Sequence, residues 1–284
     1  MADASQRHQE QINYWNSAGG ERWASSQEQT DRMLAPVLDL LLQRAKAAPG
    51  MAVLDIGCGY GTTTLDLAKA VTPAGRVLGI DVSTALIDMA KARAAAYPQV
   101  EFLRADAAAH RFIPFADLAI SRFGVMFFGD AVAAFANIRK ALKPGGRIVF
   151  ACWQALGENP WMHVPLQAVW SAGVPRAPRA GPEEPGPLSL SDPERVASVL
   201  TAAGFGGLTL SPATVPLDIA AGRGLAAAVR QAMTIGPAAA ALREQPQSVR
   251  DGAACLIEEA LGPHQSGDSV VLPGSIWIVE ASAP

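Results

Sequence analysis

Residues 53–63 read VLDIGCGYGTT, an apolar run that ends in glycines at positions 57, 59 and 61. A glycine carries no Cβ, so it allows a tight turn and lets main chain approach a bound ligand closely. The segment therefore specifies a buried strand, a turn and a helix within a few residues. The dinucleotide pattern GxGxxG begun at Gly57 requires glycine at position 62, where this chain has Thr62. The GK[ST] ending of a phosphate-binding loop is also absent. The turn favours a ligand without a pyrophosphate.

The rest of the chain extends this β-to-α step into a repeat. Met33, Leu34, Val37, Leu38, Leu41 and Leu42 recur at helical spacing from Asp31, and Pro49-Gly50 is expected to end that helix. Strands are expected at 51–56, 76–81, 100–104, 117–120 and 147–153. Helices are expected at 62–71, after an N-capping Ser83, and at 130–142 with Val132, Phe135, Ile138 and Leu142 on one face. Repeated β-α-β order implies a parallel sheet covered by helices on both faces. The stretch 173–187, rich in Pro and Gly, reads as a loop or cover. Ser191 is expected to cap a helix that Gly204 ends, and strands follow at 208–217 and 269–281. An Ala-rich, helical insertion at about 220–264 separates these two strands, and long insertions of this kind often serve function. We expect one decorated domain. Its core is about 51–153 with 190–218 and 269–284, and its cap segments are about 1–48, 154–189 and 219–268.

Two carboxylates extend the site. Asp81 ends the second strand, twenty positions after Gly61, where a carboxylate accepts hydrogen bonds from ribose hydroxyls. Asp106, in FLRADAAAH, follows the third strand and suits an exocyclic adenine amine. With Asp55 they occupy the C-terminal ends of neighbouring strands, the ligand-binding edge of open α/β sheets. Each has a structural alternative: Asp55 as a brace for its turn, Asp81 as a helix cap, Asp106 as a solvated surface group.

The ordered segments VLDIGCGYG, VLGIDVS, FLRADA and ALKPGGRIVF resemble those of class I S-adenosylmethionine-dependent methyltransferases, in the style of the ubiquinone/menaquinone C-methyltransferase group. The resemblance covers about 51–153 well and the last strands loosely. It implies a Rossmann-like, doubly wound, seven-stranded sheet whose final strand, 269–281, inserts antiparallel. S-adenosylmethionine would be the cofactor, with Asp55, Gly57, Cys58, Gly59, Gly61, Thr62, Asp81 and Asp106 around it and Val82 and Ala107 against adenine. Ser121 and Phe123, in the fourth-strand exit SRFGVMFFGD, would lie beside its reactive end. Some small-molecule members close an N-terminal tyrosine, tryptophan and arginine over the methionine end, and Tyr14, Trp23 and Arg32 have similar spacing. An amphipathic helix that packs its aromatics on the sheet accounts for the same residues.

Methyl transfer from a sulfonium needs an aligned acceptor and a dry site more than an acid. His110 and His163 are candidate bases where the acceptor is protonated. Met126, Phe127, Trp161 and His163 are candidate substrate-lining residues, suggesting an apolar or aromatic small molecule. The fourth-strand exit departs from the NPPY-type motif of amine-modifying relatives, and the chain lacks the acidic metal cluster of catechol-type enzymes. No metal is expected. Two other classes stay open: a non-methylating binder of the same cofactor, such as a sensor or cyclase, and an NAD-dependent oxidoreductase, which Thr62 disfavours.

A formal charge of −3 argues against nucleic acid as partner. Apolar runs fall short of the roughly 20 residues of a membrane span, and the N-terminal stretch lacks the apolar core of a secretory signal. A cytoplasmic protein without an integral membrane segment is expected. Cys58, Cys152 and Cys255 form no CxxC pair, consistent with free thiols. The oligomeric state is left open.

Overall fold

All five residues of β1 (Ala52–Ile56) are buried, as a parallel strand with helices on both faces requires. In the computed structural model, which describes residues 3–176, 181 and 184–284, β1 is an inner strand of a mixed sheet. Its other strands are β2 (Arg76–Asp81), β3 (Val100–Arg104), β4 (Ala116–Arg122), β5 (Leu142–Trp153), β6 (Gly206–Asp218) and β8 (Ser269–Ser282). They lie in the order β3-β2-β1-β4-β5-β8-β6, and the two-residue β7 (Gln265–Ser266) pairs with the start of β8. Strands β1 to β5 are mutually parallel, whereas β8 runs antiparallel to both β5 and β6. This is the Rossmann-like arrangement with an inserted antiparallel final strand that the sequence led us to expect. From β1 the chain builds outward through β2 and β3, then crosses back to β4 on the other side. The reversal leaves a crevice above the C-terminal ends of β1 and β4, the usual ligand site of such sheets.

The helices follow the apolar spacing, with specific departures. The helices α4 (Thr62–Val71) and α5 (Thr84–Arg93) occupy the expected spans, and the Ser83 hydroxyl caps α5 by accepting from the Leu86 amide. The helix α3 (Gln27–Ala45) starts four residues ahead of Asp31. It ends at Lys46, whose left-handed backbone (φ 45°) closes the last turn before Pro49-Gly50 is reached. The helix α6 (Ala131–Arg139) is capped by Asp130 and stops three residues short of the expected end. Leu142 instead pairs with Ala116 as the first residue of β5, and Val132 is 37% exposed, so the buried face is Ala134, Phe135 and Ile138. Asp192, not Ser191, caps α8 (Pro193–Ala202) by accepting from the Glu194 amide, and the Ser191 carbonyl accepts from the Trp277 indole.

The flanking segments are helical too. The N-terminal stretch forms α1 (Ala4–Trp15) and α2 (Ala18–Ser25), and the insertion forms α9 (Leu225–Thr234), α10 (Gly236–Leu242) and α11 (Gln247–Leu261). A further helix, α7 (Pro160–Ser171), opens the stretch after β5, with proline at its first position where no backbone donor is needed. The buried Asn159 fixes where α7 starts. Its amide donates to the carbonyls of Gln154, Ala155 and Ser275, and its Oδ1 accepts from the Ser275 amide, tying the β5 exit to β8. The helix α7 then packs against α10 and α11, which joins the insertion to the sheet. Of the 173–187 loop, residues 177–180, 182 and 183 lie outside the described residues. Among the described residues no single helix is long and apolar enough to cross a membrane.

Candidate functional site

The turns that follow β1 and β4 touch. Gly57 (φ 63°) lies so close to Gly124 that a Cβ built on it would sit 2.7 Å from the Gly124 Cα. The Ser121 hydroxyl donates to the Ile56 carbonyl at 2.7 Å and holds the two strand ends together beneath that contact. Ser121 is therefore fully buried and does not border the crevice. Phe123 does border it. Its backbone is left-handed (φ 70°), an uncommon state for a bulky residue, and its ring stacks on Trp153 with centroids 4.1 Å apart and planes 11° from parallel.

Of the three carboxylates, Asp81 and Asp106 face the crevice and Asp55 does not. Asp81 accepts from the Gly59 amide at 2.9 Å and the Ser83 amide at 2.8 Å, so it shapes the glycine turn while keeping lone pairs for a ligand. Burial raises its pKa, against the pull of these backbone bonds. Asp106 accepts from the Ala108 amide and is bridged to His8 Nε2 at 2.8 Å. Burial pushes its carboxyl up, but the His8 and Ala108 bonds outweigh this and hold it below its ordinary value. The same bond raises the His8 pKa. The other His8 nitrogen, Nδ1, accepts from the Gly129 amide at 3.3 Å, an arrangement that suits the neutral ring donating through Nε2. Asp55 lies beneath the turn, where it accepts from the Thr64 hydroxyl of α4 at 2.6 Å, and so braces the junction of strand and helix.

Gly57, Cys58, Gly59, Asp81, Val82, Asp106, Ala107 and Phe123 border one continuous cavity of about 1810 Å³, as do Tyr14 and Trp23 from the N-terminal helices. Met126, Phe127 and Trp161 form part of its apolar wall with Trp15, Trp153 and Met162. Trp15 makes edge contacts with Phe127 and Trp23, at 5.2 and 6.2 Å between centroids. Burial raises the Cys58 thiol pKa well above its ordinary value, so Cys58 is a neutral wall group.

Besides Asp55 and Ser121, five expected residues are placed elsewhere. Gly61 (φ 85°) faces the Phe102 ring, which a Cβ would meet at 2.6 Å. The Thr62 hydroxyl donates to Asp31 at 2.8 Å. Arg32 points outward, 59% exposed, to Glu28 one helical turn away. His163 does not border the cavity, nor does His110, whose ring packs edge-on against Phe112 at 4.8 Å. The structure adds His8, Trp15, Tyr60, Arg22, Arg122 and Arg243 to the lining. Trp15 and Arg122 had a signal in the sequence: they adjoin Tyr14 and Phe123, but singling out one residue of each pair passed over its neighbour.

Comparison with known proteins agrees with this geometry. Residues 53–146 match the family model described as a methyltransferase domain. A demethylmenaquinone methyltransferase from Lactococcus lactis subsp. lactis is 34% identical over 114 residues, which are 38% of this chain and 44% of that protein. The matched segments span only 34% and 44% of the first two curated relatives. Among solved structures, the YcgJ protein from Bacillus subtilis superposes with a TM-score of 0.57 at 17% identity, covering 87% of this chain and 97% of that one. The [4+2]-cyclase SpnF gives 0.50 at 19% identity, covering 87% and 81%. Over residues 53–146 the chain is thus similar to methyltransferase domains, on a fold that it shares with the solved structures.

Asp55 gives the site a pH signature. Burial pushes its carboxyl up to about 6, from an ordinary value of 3.8. The folded-state pKa exceeds the unfolded one, so ionising Asp55 opposes folding. The opposition is absent below about pH 4, grows towards pH 6 and is constant above, on the order of 3 kcal/mol for two pH units. Asp55→Asn keeps the shape and removes the titration. In urea unfolding, wild type should lose stability relative to Asp55→Asn as pH rises from 4 to 6. Parallel stability curves across that range would contradict the assignment.

Proposed function

We propose that this chain transfers the methyl group of S-adenosylmethionine to a small molecule with an apolar or aromatic body. The observation that carries the reading is the cavity: about 1810 Å³ of continuous space runs from Asp106 and Asp81, past the Gly57–Gly59 turn, to an aromatic wall. That exceeds the ~300–1,000 Å³ of an ordinary small-molecule pocket, which suits a cofactor and an acceptor held together. The residues present fit the cofactor. Main chain free of Cβ atoms at 57 and 59 makes room beside the turn, and Asp81 is already oriented by two amides to accept from ribose hydroxyls. Val82 and Ala107 offer apolar contact to adenine, and Asp106 is the acceptor for its amine, in competition with His8.

When bound, the cofactor supplies an electrophilic methyl on a sulfonium, whose charge is lost on transfer. The chain supplies alignment and dryness. Phe123, Met126, Phe127, Trp153 and Trp161 hold an acceptor against the strand ends, while Tyr14, Trp15 and Trp23 close the N-terminal side against water. His110 and His163 lie off the cavity and His8 is engaged with Asp106, so in this reading proximity and desolvation carry the acceleration. The acceptor atom, carbon, oxygen or nitrogen, is left to experiment. The likeness to the [4+2]-cyclase keeps a second reading, a cofactor binder that performs no transfer.

Incubation with methyl-labelled S-adenosylmethionine and a panel of quinols, phenols and amines separates the two. We expect label in an organic product. We also expect Asp81→Ala to weaken S-adenosylhomocysteine binding by about 1–3 kcal/mol, the scale of a buried hydrogen-bonding group. Cofactor binding without labelled product favours the second reading, and tight NAD binding in its place would overturn both.

The helices α1, α2, α9 and α10 all contribute cavity-lining residues from outside the sheet, and we assign them the role of a cover that closes over the cofactor. Amide hydrogen exchange across residues 4–25 and 225–242 should slow when S-adenosylhomocysteine is added. Equal exchange with and without it would reduce these helices to packing.

A further inference from the structure

Arg122 is the last residue of β4, and its side chain is only 9% exposed, yet it borders the cavity. Burying a guanidinium is costly unless its donors are satisfied. Its Nη1 has no hydrogen-bond partner. Its Nη2 lies 3.5 Å from Asp31 Oδ1, within ion-pair range, but that oxygen accepts no hydrogen bond. The other Asp31 oxygen is already occupied: Oδ2 accepts from the Thr62 hydroxyl at 2.8 Å and from the Gln27 amide, with Arg93 at 3.6 Å. The guanidinium is thus ion-paired with Asp31 but leaves one buried donor unsatisfied beside a ligand cavity, where a further anion would satisfy it.

The order of strands says which anion. Asp106 follows β3 and Asp81 ends β2, so a nucleoside held by both lies over that side of the sheet. β4 is on the opposite side of β1. A ligand that extends from the nucleoside across the Gly57–Gly59 turn therefore brings its far end to Arg122. In S-adenosylmethionine that end is an α-amino acid, with one carboxylate. The planar fork of arginine matches a carboxylate through two parallel hydrogen bonds.

Other arginines near the cavity are placed differently: Arg176 stands over the Trp170 ring, Arg195 donates to the Ser189 carbonyl, and Arg250, whose Nε also has no hydrogen-bond partner, lies on α11 outside the sheet. Arg93 donates to the Tyr60 carbonyl at 2.8 Å and the Thr62 hydroxyl at 2.9 Å. Arg22 and Arg243 both stand over the Tyr14 ring, at 5.9 and 5.2 Å from its centroid. Arg32, which the family resemblance places over the methionine end, faces solvent on the outer side of α3.

We infer that Arg122 receives the carboxylate of the cofactor's amino-acid end and so selects ligands that carry an amino acid over those that end at the thioether. The inference rests on the proposed cofactor.

Calorimetry on the full chain tests it with two probes: S-adenosylhomocysteine and 5′-methylthioadenosine, which shares the nucleoside and thioether but lacks the amino acid. Arg122→Met should lose about 10- to 100-fold in affinity for S-adenosylhomocysteine, the scale of a hydrogen bond to a charged group, and leave 5′-methylthioadenosine binding unchanged. Arg122→Lys, which keeps the charge but not the fork, should lose less, with the same selectivity. Arg32→Met should bind both probes as wild type does. Equal loss for both probes would make Arg122 a structural residue and overturn the inference, as would an unchanged affinity for S-adenosylhomocysteine. Should Arg122→Met fail to give a cooperative melt, Arg122→Lys is read by the same criterion. If wild type binds neither probe, the cofactor reading fails and the inference with it.

Discussion

The contact between the main chains of Gly57 and Gly124 governs the site. It leaves no space for even a methyl group between the turns after β1 and β4, and it exists because the two strands pair in parallel and end together. Because the turns meet, the Ser121 hydroxyl reaches the Ile56 carbonyl, and the chain leaves the contact on one side as α4 and on the other through the left-handed Phe123. The crevice opens above this joint. Asp81 reaches it from β2 through the Gly59 amide, and Phe123 turns its ring onto Trp153, so the polar and aromatic sides of the cavity depend on the same few backbone atoms.

A second balance is electrostatic. The sheet end holds Asp55 fully buried and Asp81 and Arg122 partly buried at the edge of the cavity, and each is handled differently. Asp81 is satisfied by backbone amides, Asp55 accepts from Thr64 but is pushed up by burial, and Arg122 keeps an open donor. Desolvated charges interact strongly and are costly when unpaired. A site built this way discriminates by which polar atoms a ligand supplies, while the aromatic residues of α1, α2 and α7 keep water from competing.

Much of this was legible in the sequence because parallel strands and glycine turns carry strong local signals. The spans of β2, β3, α4 and α5 follow directly from apolar runs bounded by turn residues, and Asp81 from its place at a strand end. Where tertiary contacts decided, the sequence was a poor guide. Leu142 fits the apolar face of α6 equally well, and only pairing with Ala116 makes it strand. Arg32 had the expected spacing, but the direction in which α3 presents position 32 depends on how that helix packs. Asp55, Gly61, Thr62 and Ser121 belong to the glycine-turn and fourth-strand motifs, yet they point under the turns or away from the cavity, a distinction that linear spacing does not encode. His8 lies in a polar stretch with no motif, and only the packing of α1 brings it to Asp106.

The central claim is that S-adenosylmethionine-type ligands lie across the C-terminal ends of β3, β2, β1 and β4. The most direct test is a crystal structure of the full chain with S-adenosylhomocysteine. The account predicts density with ribose hydroxyls on Asp81, adenine between Val82 and Ala107, and the thioether beside the Gly57–Gly59 turn. A ligand bound elsewhere, or one whose ribose does not touch Asp81, would contradict it.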